Sequence, residues 1–569
     1  MKTLNLHCDY IKFKALKKAL KDIDEIAPSQ NLEGDISECL VVLTAVEKRD
    51  NETETVQMFV DDIKNIASQV NTKNIVLYPY AHLSSNLQSP IKSVKILNLV
   101  AEELKKDFNV TRAPFGYYKT FELKVKGHPL SELSREIVIK GNEKIADISD
   151  EERKQLLRQI SKAKLDTSKL KENDHRIIGQ RMNLWSFNSV APGMVFWHNK
   201  GLKIKNKLIE LWRELHRSAG YEEISTPQVM DRKLWEISGH WSKYGENNFK
   251  TNYEGRDFLL KPMNCPGGML VYKTSPKSYK DLPLRVGEIG VVHRVELSGV
   301  LAGLFRAIQF TQDDAHIFCT QEQLEGEIQK IIELIMKTFA YFGLEFDHVE
   351  LSTRPEKRIG DDKTWDIAEA TLETILKKSG MKYQINEGDG AFYGPKIDFH
   401  LKDSLGRTWQ CSTIQLDMAL PERFDLVYTD EKGEEKRPVM LHRVVYGSIE
   451  RFIGIITESM NGKYPLWLSP NQIKIITMND NVKDYANEVY KKLFDEGFEV
   501  ELDDRNESIG KKVRDAQIQR FNYILTVGEK ELENKKVAVK KRDGNDIEEY
   551  DLNDFIEKLK KEIKEKNIN

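Results

Sequence analysis

Hydrophobic and polar positions change their spacing several times along the chain, and these changes predict where the elements lie. In residues 1–140, apolar runs such as CLVVLTAVE, NIVLYPYAHL and FELKVKGH are typical of strands and alternate with helical segments. The clearest helix starts at Ser89-Pro90, because serine is a good N-cap and proline suits the first helical position. We expect a compact α/β domain here.

Three further regions follow. Residues 141–174 are charged, helix-favouring and poor in large apolar side chains, which predicts a helical linker. Residues 175–465 mix aromatic-rich strands with amphipathic helices such as KNKLIELWRELHRSAG, which ends on Gly220. Residues 466–569 show a βαβαββα pattern, typical of a small mixed-sheet domain. The predicted fold class is α/β and multidomain.

Composition narrows the class of protein. Apolar residues make up 40% of the chain, and no segment approaches the ~18 apolar residues needed to span a bilayer. The start, MKTLNLHCDY, does not have the pattern of a secretory signal. The five cysteines form no CxxC pair, which suits a reducing compartment. Together these features predict a cytoplasmic protein without a membrane partner. A net charge of −3 means that any nucleic-acid partner must meet local basic patches.

Candidate chemistry first emerges in the largest region. Arg294 precedes Glu296 by two residues on an alternating segment, so both side chains are predicted to share one strand face. Gly447 and Arg451 are four apart at a predicted helix start, where an arginine can stack on adenine or clamp a phosphate. Each signal alone is weak, because most arginines are solvated or salt-bridged.

Longer strings are much more specific. The segments GYEEISTP, VHRVELSG and YGSIERFIG resemble motifs 1, 2 and 3 of class II aminoacyl-tRNA synthetases. KPMNCPGGM, FTQDDAHIF, AFYGPKIDF, WQCSTIQLD and VMLHRVVYGSIERFIG are similar to threonyl-tRNA synthetases in order and spacing, over residues 174–569. The resemblance implies an antiparallel class II catalytic sheet flanked by helices and a homodimer formed through the first motif. It also implies activation of L-threonine with ATP and transfer to the 3′ end of tRNA(Thr), with no DNA partner.

The resemblance also assigns roles to single residues. It implies that ATP arrives with Mg²⁺ and that fixed cations supply most of the catalysis by positioning and electrostatics. His240 matches a position that assists transfer to the tRNA ribose. The implied catalytic residues are Arg294, Arg451, Lys396 and His240; the ATP contacts are Arg294, Glu296, Arg306, Gln410 and Arg451; the threonine contacts are Asp314, Tyr393 and Gln415.

A metal site follows from the same resemblance. Cys265, His316 and His442 match the family's zinc ligands, although their separation alone suggests a small core residue and two structural histidines. One cysteine with two histidines is a three-ligand pattern with an open position for substrate. We expect one Zn²⁺ per chain, which reads the amino and hydroxyl groups of threonine and so rejects valine.

Serine keeps the hydroxyl group and lacks only a methyl, a difference worth roughly 1–3 kcal/mol, so a hydrolytic site is expected. Within residues 1–140, HCDYIKFK, YPYAHLSS, APFGYYKTF and GHPLSELSR resemble the archaeal editing domain of this family, itself similar to D-aminoacyl-tRNA deacylases. The implied editing residues are His82, Lys119 and Glu132; the alternative is a structural histidine with a surface lysine and glutamate. Cys8 is interpreted as a core residue.

The C-terminal region resembles the anticodon-binding domain of class II synthetases, with Asn506, Arg514, Arg520 and Glu531 as implied base readers. Lys540 and Gly268 depart from arginine and histidine in many bacterial relatives, which bears on contacts to tRNA and not on the reaction. Two alternatives stay open: a non-catalytic RNA-binding regulator, and a deacylase fused to an inactive scaffold. Intact catalytic strings argue against both.

Overall fold

A mixed sheet covered on one face by two helices forms the N-terminal part of the chain. The computed structural model describes residues 1–569 except 29, 85, 138–149, 162–169, 244–247, 405, 545 and 569. The elements here are β1 (Lys2–Lys18), α1 (Ile23–Ile26), β2 (Glu33–Ala45), α2 (Glu54–Gln69), β3 (Asn74–Pro79), α3 (Pro90–Leu104), β4 (Asn109–Arg112), β5 (Tyr117–Val125) and β6 (Glu132–Glu136).

The strand order in this sheet is β4-β3-β2-β1-β5, and β6 also pairs with β1. The pairs β2–β3 and β3–β4 are parallel, while β1 runs antiparallel to its neighbours. Alternate residues of the central strands, such as Leu40 and Val42, pack under α2 and α3, because successive side chains point to opposite faces. The helix predicted at Ser89-Pro90 is α3, with Ser89 as its N-cap.

A second sheet organises the largest region. Its elements are α4 (Asp150–Ser161), α5 (His175–Arg181), β7 (Trp185–Ser186), β8 (Phe196–Trp197), α6 (Asn199–Ser218), β9 (Glu222–Glu223), β10 (Val229–Asp231), α7 (Arg232–Ser238), α8 (His240–Lys243), β11 (Lys250–Tyr253), β12 (Arg256–Leu260), α9 (Cys265–Tyr272), β13 (Leu284–His293), β14 (Gln309–Cys319), α10 (Leu324–Ala340), β15 (Phe346–Ser352), α11 (Asp362–Lys378), β16 (Gln384–Asn386), β17 (Lys396–Lys402), β18 (Thr408–Asp417), α12 (Leu420–Arg423), β19 (Tyr428–Thr429), β20 (Glu435–Lys436), β21 (Val439–Ser448) and α13 (Ile449–Ser459).

The strand order here is β16-β15-β17-β18-β21-β14-β13-β9, which we call the catalytic sheet. Its neighbours pair antiparallel from β15 to β13, and only the short end strands β16 and β9 pair parallel among the described residues of this sheet. One face is apolar: Ile397, Phe399 and Leu401 of β17 join a core shared with α10 and α11. The other face carries Lys396, Asp398 and His400, so these polar side chains of β17 lie on one side of the sheet.

The C-terminal part is a smaller mixed sheet of order β23-β22-β24-β25-β26. Its elements are β22 (Ile473–Thr477), α14 (Lys483–Asp495), β23 (Val500–Asp503), α15 (Ile509–Ile518), β24 (Tyr523–Val527), α16 (Glu529–Asn534), β25 (Lys536–Lys541), β26 (Ile547–Asp551) and α17 (Leu552–Glu565). The predicted pattern lacked α16 and β26. Helix α16 has 6 residues, which is less than two turns, and the sequence IEEYD of β26 contains too few apolar residues to signal a strand.

The α/β multidomain fold class is confirmed. The chain forms two units, residues 1–149 and 150–569. The predicted linker, residues 141–174, includes α4, but its residues 141–149 and 162–169 lie outside the described part of the chain. No helix in the described ranges is long and apolar enough to cross a membrane.

Candidate functional site

A row of polar side chains crosses four adjacent strands of the catalytic sheet. Lys396 on β17 pairs with Gln415 on β18, Gln415 pairs with His442 on β21, and His442 pairs with His316 on β14. Cross-strand partners project to the same face, so the register alone aligns these side chains. The start of α9 brings Cys265 to the same place, and the resulting cavity has a volume of about 260 Å³.

Cys265, His316 and His442 form a buried set of metal-binding side chains. One ligand atom from each lies within 4.8 Å of the others. His442 Nε2 is 2.8 Å from Asp417 Oδ2, an arrangement that orients the imidazole and leaves Nδ1 to bind a metal. His316 Nε2 is a buried nitrogen with no hydrogen-bond partner among the described residues. Burial raises the pKa of the Cys265 thiol and lowers the pKa of His316. A cation would offset the first effect, and the donor set fits zinc.

Two arginines, Arg451 and Arg294, lie close enough for their charges to interact, and each contacts an aromatic ring. Arg451 donates from Nε to the Phe305 carbonyl oxygen at 3.0 Å and from Nη1 to the Gln410 carbonyl oxygen at 3.0 Å. Its guanidinium lies 5.4 Å from the Trp409 ring, which stacks on Phe305 at 4.7 Å. Arg294 donates to the Pro262 carbonyl oxygen at 3.2 Å and lines the cavity. Neither forms an ion pair with a described carboxylate, so both keep positive charge available for an anion.

The other residues implied to contact ATP, and the implied catalytic residue Lys396, are held in internal pairs. Arg306 donates to Glu296 Oε2 at 2.9 Å and is half exposed. Lys396 contacts Asp389 at 2.9 Å and also Asp398, while Gln410 donates to Asp398 and, at 2.9 Å, to Thr413.

The implied threonine contacts and the implied catalytic residue His240 differ in position. Asp314 and Tyr393 line the cavity with Gln415, which donates to the Gly394 carbonyl oxygen at 3.1 Å. His240 does not line it. His240 is fully buried, with Nδ1 2.8 Å from Ser238 Oγ and Nε2 2.9 Å from Met263 Sδ, and burial lowers its pKa to about 3. In this conformation His240 lies behind the cavity wall.

One local prediction was wrong, and a second was correct for Arg451, which lies in the first turn of a helix, but not for Gly447. Arg294 and Glu296 follow β13, which ends at His293, so the pair lies beyond the strand and not on one of its faces. Gly447 is the next-to-last residue of β21, and α13 begins after it at Ile449. Gly447 has φ +79°, and a Cβ there would lie 2.4 Å from the Cys411 carbonyl oxygen, so the sharp entry into α13 requires glycine.

Sequence reasoning missed the residues that support this site. The Asp313 carboxylate accepts backbone N–H groups from Val445, Tyr446 and Gly447 at 2.9–3.0 Å, and so fixes the turn into α13. His175 joins α13 to the Arg306 loop. Its Nδ1 is 2.7 Å from Glu458 Oε1, and its Nε2 accepts the Leu304 N–H at 3.0 Å. Asp417 and Asp313 stand inside WQCSTIQLD and FTQDDAHIF, but only burial reveals their roles.

The N-terminal unit contains a cavity of about 420 Å³, lined mostly by aromatic and aliphatic side chains. His82 and Lys119 line it, but Glu132 does not: Glu132 begins β6, exposed and paired with Leu6. Lys119 Nζ donates to the Pro114 carbonyl oxygen at 2.8 Å and lies 4.7 Å from the Tyr78 ring. Burial lowers the pKa of Lys119 to about 8. Cys8 is buried and its pKa is raised by burial to about 11, as a core residue requires.

The four implied anticodon readers do not converge. Asn506 and Glu531 follow β23 and β24, at the carboxyl edge of the parallel strands, and Arg514 lies midway along α15. Glu531 accepts the Gly528 N–H at 2.9 Å and so caps α16. Arg520 follows α15 at the opposite edge, where burial and the nearby Arg181 and Arg542 lower its pKa.

Comparison with known proteins gives the class first. Residues 249–460 match the tRNA synthetase class II core domain (G, H, P, S and T), and residues 472–562 match an anticodon binding domain. The catalytic sheet with its polar face is therefore a class II aminoacyl-tRNA synthetase core. Residues 1–137 match the Archaea-specific editing domain of threonyl-tRNA synthetase.

Individual relatives then give the family. The threonine–tRNA ligase of Carboxydothermus hydrogenoformans is 54% identical over 396 residues, which are 70% of this chain and 62% of that protein. The corresponding enzyme of Clostridium tetani is 51% identical over 424 residues, 73% of this chain and 66% of that one. A crystal structure of the RNA binding domain of threonyl-tRNA synthetase from Cryptosporidium parvum is 41% identical with a TM-score of 0.66, covering 68% of this chain and 98% of that one. The chain belongs to the threonyl-tRNA synthetase family, and it spans less than two thirds of the length of these curated relatives.

Proposed function

We propose that this chain is a threonine–tRNA ligase that activates L-threonine with ATP and transfers it to tRNA(Thr). The observation that carries the proposal is the convergence of the Cys265–His316–His442 set with Arg294, Arg451 and Lys396 on one face of the catalytic sheet. A donor set that can bind zinc and a group of fixed cations are the two requirements for gathering an amino acid and a triphosphate in one cavity.

In the first step, the threonine carboxylate attacks the α-phosphate of ATP, and pyrophosphate leaves. Arg294 and Arg451 stabilise the charge that develops at the α-phosphate, because both are held by backbone carbonyl groups and need not reorganise. Arg306 receives the terminal phosphates, and Lys396 exchanges an aspartate partner for substrate. ATP enters with Mg²⁺, which neutralises part of its charge.

Zinc, held by Cys265, His316 and His442, would supply a Lewis acid that reads the amino and hydroxyl groups of threonine. Asp314, beside His316, accepts from the polar atoms of the same substrate, while Tyr393 and Gln415 close the cavity around it. Valine would leave these groups unpaired, so discrimination against it should be strong.

In the second step, a ribose hydroxyl group of the tRNA attacks the adenylate carbonyl carbon, and AMP leaves. His240 assists this transfer only if it moves from its position behind Met263. We further propose that Asn506, Arg514, Arg520 and Glu531 contact the tRNA and that the chain forms a homodimer through the region of β9, where the catalytic sheet ends. The five cysteines, all reduced, suit a cytoplasmic enzyme.

Threonine-dependent exchange of pyrophosphate into ATP tests the synthetic activity. Threonine should drive exchange, serine should drive it more weakly, and valine should not. If no amino acid drives exchange while tRNA still binds, the chain is a non-catalytic RNA-binding protein.

We also propose that the N-terminal unit hydrolyses Ser-tRNA(Thr), because its cavity contains Lys119 and His82 within an otherwise mostly apolar lining. Aminoacylation with serine tests this activity in the full chain. Lys119→Met should let Ser-tRNA(Thr) accumulate, whereas the control Lys12→Met, an exposed lysine paired with Asp35, should not. Equal accumulation by the unmodified chain would refute hydrolysis in cis.

A further inference from the structure

A second group of metal-binding side chains lies on the polar face of the catalytic sheet, towards its β16 end. His348 and Glu350 alternate along β15, and His400 on β17 is the cross-strand partner of His348. One ligand atom from each lies within 4.8 Å of the others. The proposed reaction uses none of these three residues.

The two ring nitrogens of His348 face carboxylate oxygens. Nδ1 is 2.8 Å from Asp347 Oδ2, and Nε2 is 3.2 Å from Glu350 Oε1. A neutral imidazole carries one N–H, so it can donate to only one of these oxygens. In the neutral form with Nδ1–H donated to Asp347, the Nε2 lone pair points towards negative charge, and either a proton or a metal ion on Nε2 would relieve this contact.

His400 and Glu350 form a second contact in which a ring nitrogen faces a carboxylate oxygen without a hydrogen bond. His400 Nε2 is 3.4 Å from Glu350 Oε2, yet it is a buried nitrogen without a hydrogen bond among the described residues. The imidazole rings of His348 and His400 are stacked with centroids 4.4 Å apart. Both rings therefore present nitrogen to the same carboxylate.

An outer layer of hydrogen bonds holds the carboxylate. Gln384 Nε2 donates to Glu350 Oε1 and Asn386 Nδ2 to Oε2, both at 2.9 Å, from the neighbouring strand β16. Asp347 does the same for His348 and is itself paired with Lys402 at 3.3 Å. Metal ligands are commonly oriented by such outer partners.

The other comparable cluster, Asp174, His175 and Glu458, differs in its hydrogen bonds. Both ring nitrogens of His175 are already satisfied, one by Glu458 and one by the Leu304 N–H. No ring nitrogen of that cluster is therefore left to bind a metal, whereas His400 Nε2 in the His348 cluster has no hydrogen bond among the described residues.

We propose that His348, Glu350 and His400 bind a divalent transition-metal ion such as Zn²⁺ or Co²⁺, separate from the ion at Cys265. Two imidazoles and a carboxylate are a donor set suited to these borderline metals. Two nitrogen or oxygen ligands of one tetrahedral zinc ion lie roughly 3.4 Å apart, so side-chain rotations must bring the three donors, now within 4.8 Å, closer together. The side chains are 13–27% exposed, which leaves room for water as further ligand. We expect weaker binding than at the buried cysteine site.

Titration of metal-depleted full-length protein with Co²⁺ tests this proposal. The unmodified chain should bind two equivalents, only one of which shows thiolate-to-cobalt charge transfer. The double variant His348→Ala/His400→Ala should retain the charge-transfer site and lose the other, and Gln384→Ala should weaken the second site about tenfold. His198→Ala, a histidine on the same unit bonded to Ser186 and Asn183, serves as the matched control and should bind both equivalents.

Cys265→Ala provides the reciprocal measurement. This variant should lose the charge-transfer band and keep the second equivalent, so failure of the zinc assignment and failure of this proposal give different results. Retention of the charge-transfer site in the double variant shows that it is folded. A single equivalent in the unmodified chain, or a second equivalent that survives His348→Ala/His400→Ala, overturns the proposal.

Discussion

The two cavities of this chain differ in the number of charged side chains that line them. The catalytic cavity, about 260 Å³, is lined by Arg294, Lys396 and Arg443, by Asp314, and by two of the metal-binding side chains. The N-terminal cavity is larger, about 420 Å³, and Lys119 is its only lysine, arginine or acidic residue among the described lining residues. Several charged side chains line the first cavity, whereas mostly apolar side chains surround a single amine in the second.

This difference matches the two proposed reactions. Adenylate formation gathers negative charge, so fixed cations are required, and their mutual repulsion is offset by carboxylates such as Asp398 and Glu296. Ester hydrolysis develops charge at one oxygen, for which a single oriented donor is sufficient. An apolar lining of aromatic rings can then distinguish a seryl ester from a threonyl ester, which differ by one methyl group. The expected mutational effects therefore differ in size between the two cavities.

The largest effect should come from Cys265→Ala. We expect this variant to lose one equivalent of zinc and to reduce threonine-dependent pyrophosphate exchange by at least about 10³-fold, because the amino-acid site loses its Lewis acid. Metal analysis and exchange kinetics on the same preparation measure both quantities. Full exchange activity without metal would mean that the charged side chains of this cavity are sufficient for threonine activation and that no metal ion is needed.

Arg294→Ala and Arg451→Ala should each reduce exchange by about 10²–10³-fold, the usual range for removing one group that stabilises developing charge. Binding of tRNA, measured by filter retention, should change less than about twofold. Arg153→Ala, an exposed arginine paired with Asp150, is the matched control. A parallel loss of tRNA affinity would indicate that the two arginines are structural.

Asp417→Asn sharpens the comparison within the catalytic cavity. The amide side chain would retain the shape of the carboxylate but would be a weaker acceptor for His442 Nε2–H, so zinc affinity should fall about 10–100-fold. Competition with a chelator measures the affinity. An unchanged affinity would show that the sheet register alone orients His442.

The family, the fold class and the metal-binding residues of the catalytic cavity could be predicted from sequence strings. Strings such as KPMNCPGGM and VMLHRVVYGSIERFIG contain the metal-binding residues and arginines, and the strand register that brings His316 beside His442 follows from antiparallel pairing. The family and fold class were therefore predicted correctly. The position of His240 was not predictable, because its burial behind Met263 depends on packing against α7 and the segment that precedes α9.

Supporting residues were harder to find than ligands. Asp313, His175 and Glu458 act through buried hydrogen bonds between segments more than 100 residues apart, and no local spacing signals such bonds. Glu132 illustrates the opposite case. It stands in a string that resembles the editing domain, yet β6 places it beside β1 and away from the cavity lining. Sequence similarity identifies the string, whereas the side chain's direction is set by the strand.

The smallest expected effect concerns the single amine of the N-terminal cavity. Burial lowers the pKa of Lys119 to about 8, so its ammonium form predominates at pH 7 and disappears as the pH rises through about 8. Lys119 Nζ donates to the Pro114 carbonyl oxygen and, more weakly, to that of Pro79, which leaves one N–H for the ester of a mischarged tRNA. If that N–H orients the ester, hydrolysis of Ser-tRNA(Thr) should fall about twofold between pH 7 and 8 and about tenfold per unit well above it.

The measurement is deacylation of purified Ser-tRNA(Thr) from pH 6.5 to 9, corrected for uncatalysed hydrolysis at each pH. Tyr78, which contacts Lys119, cannot produce the change, because burial raises its pKa to about 12 and it stays neutral throughout. Lys119→Arg keeps a positive charge over the whole range, so its remaining activity should not decline with pH. A rate that rises through pH 8 in the unmodified chain would instead mean that the neutral amine acts as a base. Hydrolysis in this cavity would then depend on proton transfer to Lys119. The two cavities would differ in their acid–base chemistry as well as in the number of charged side chains that line them.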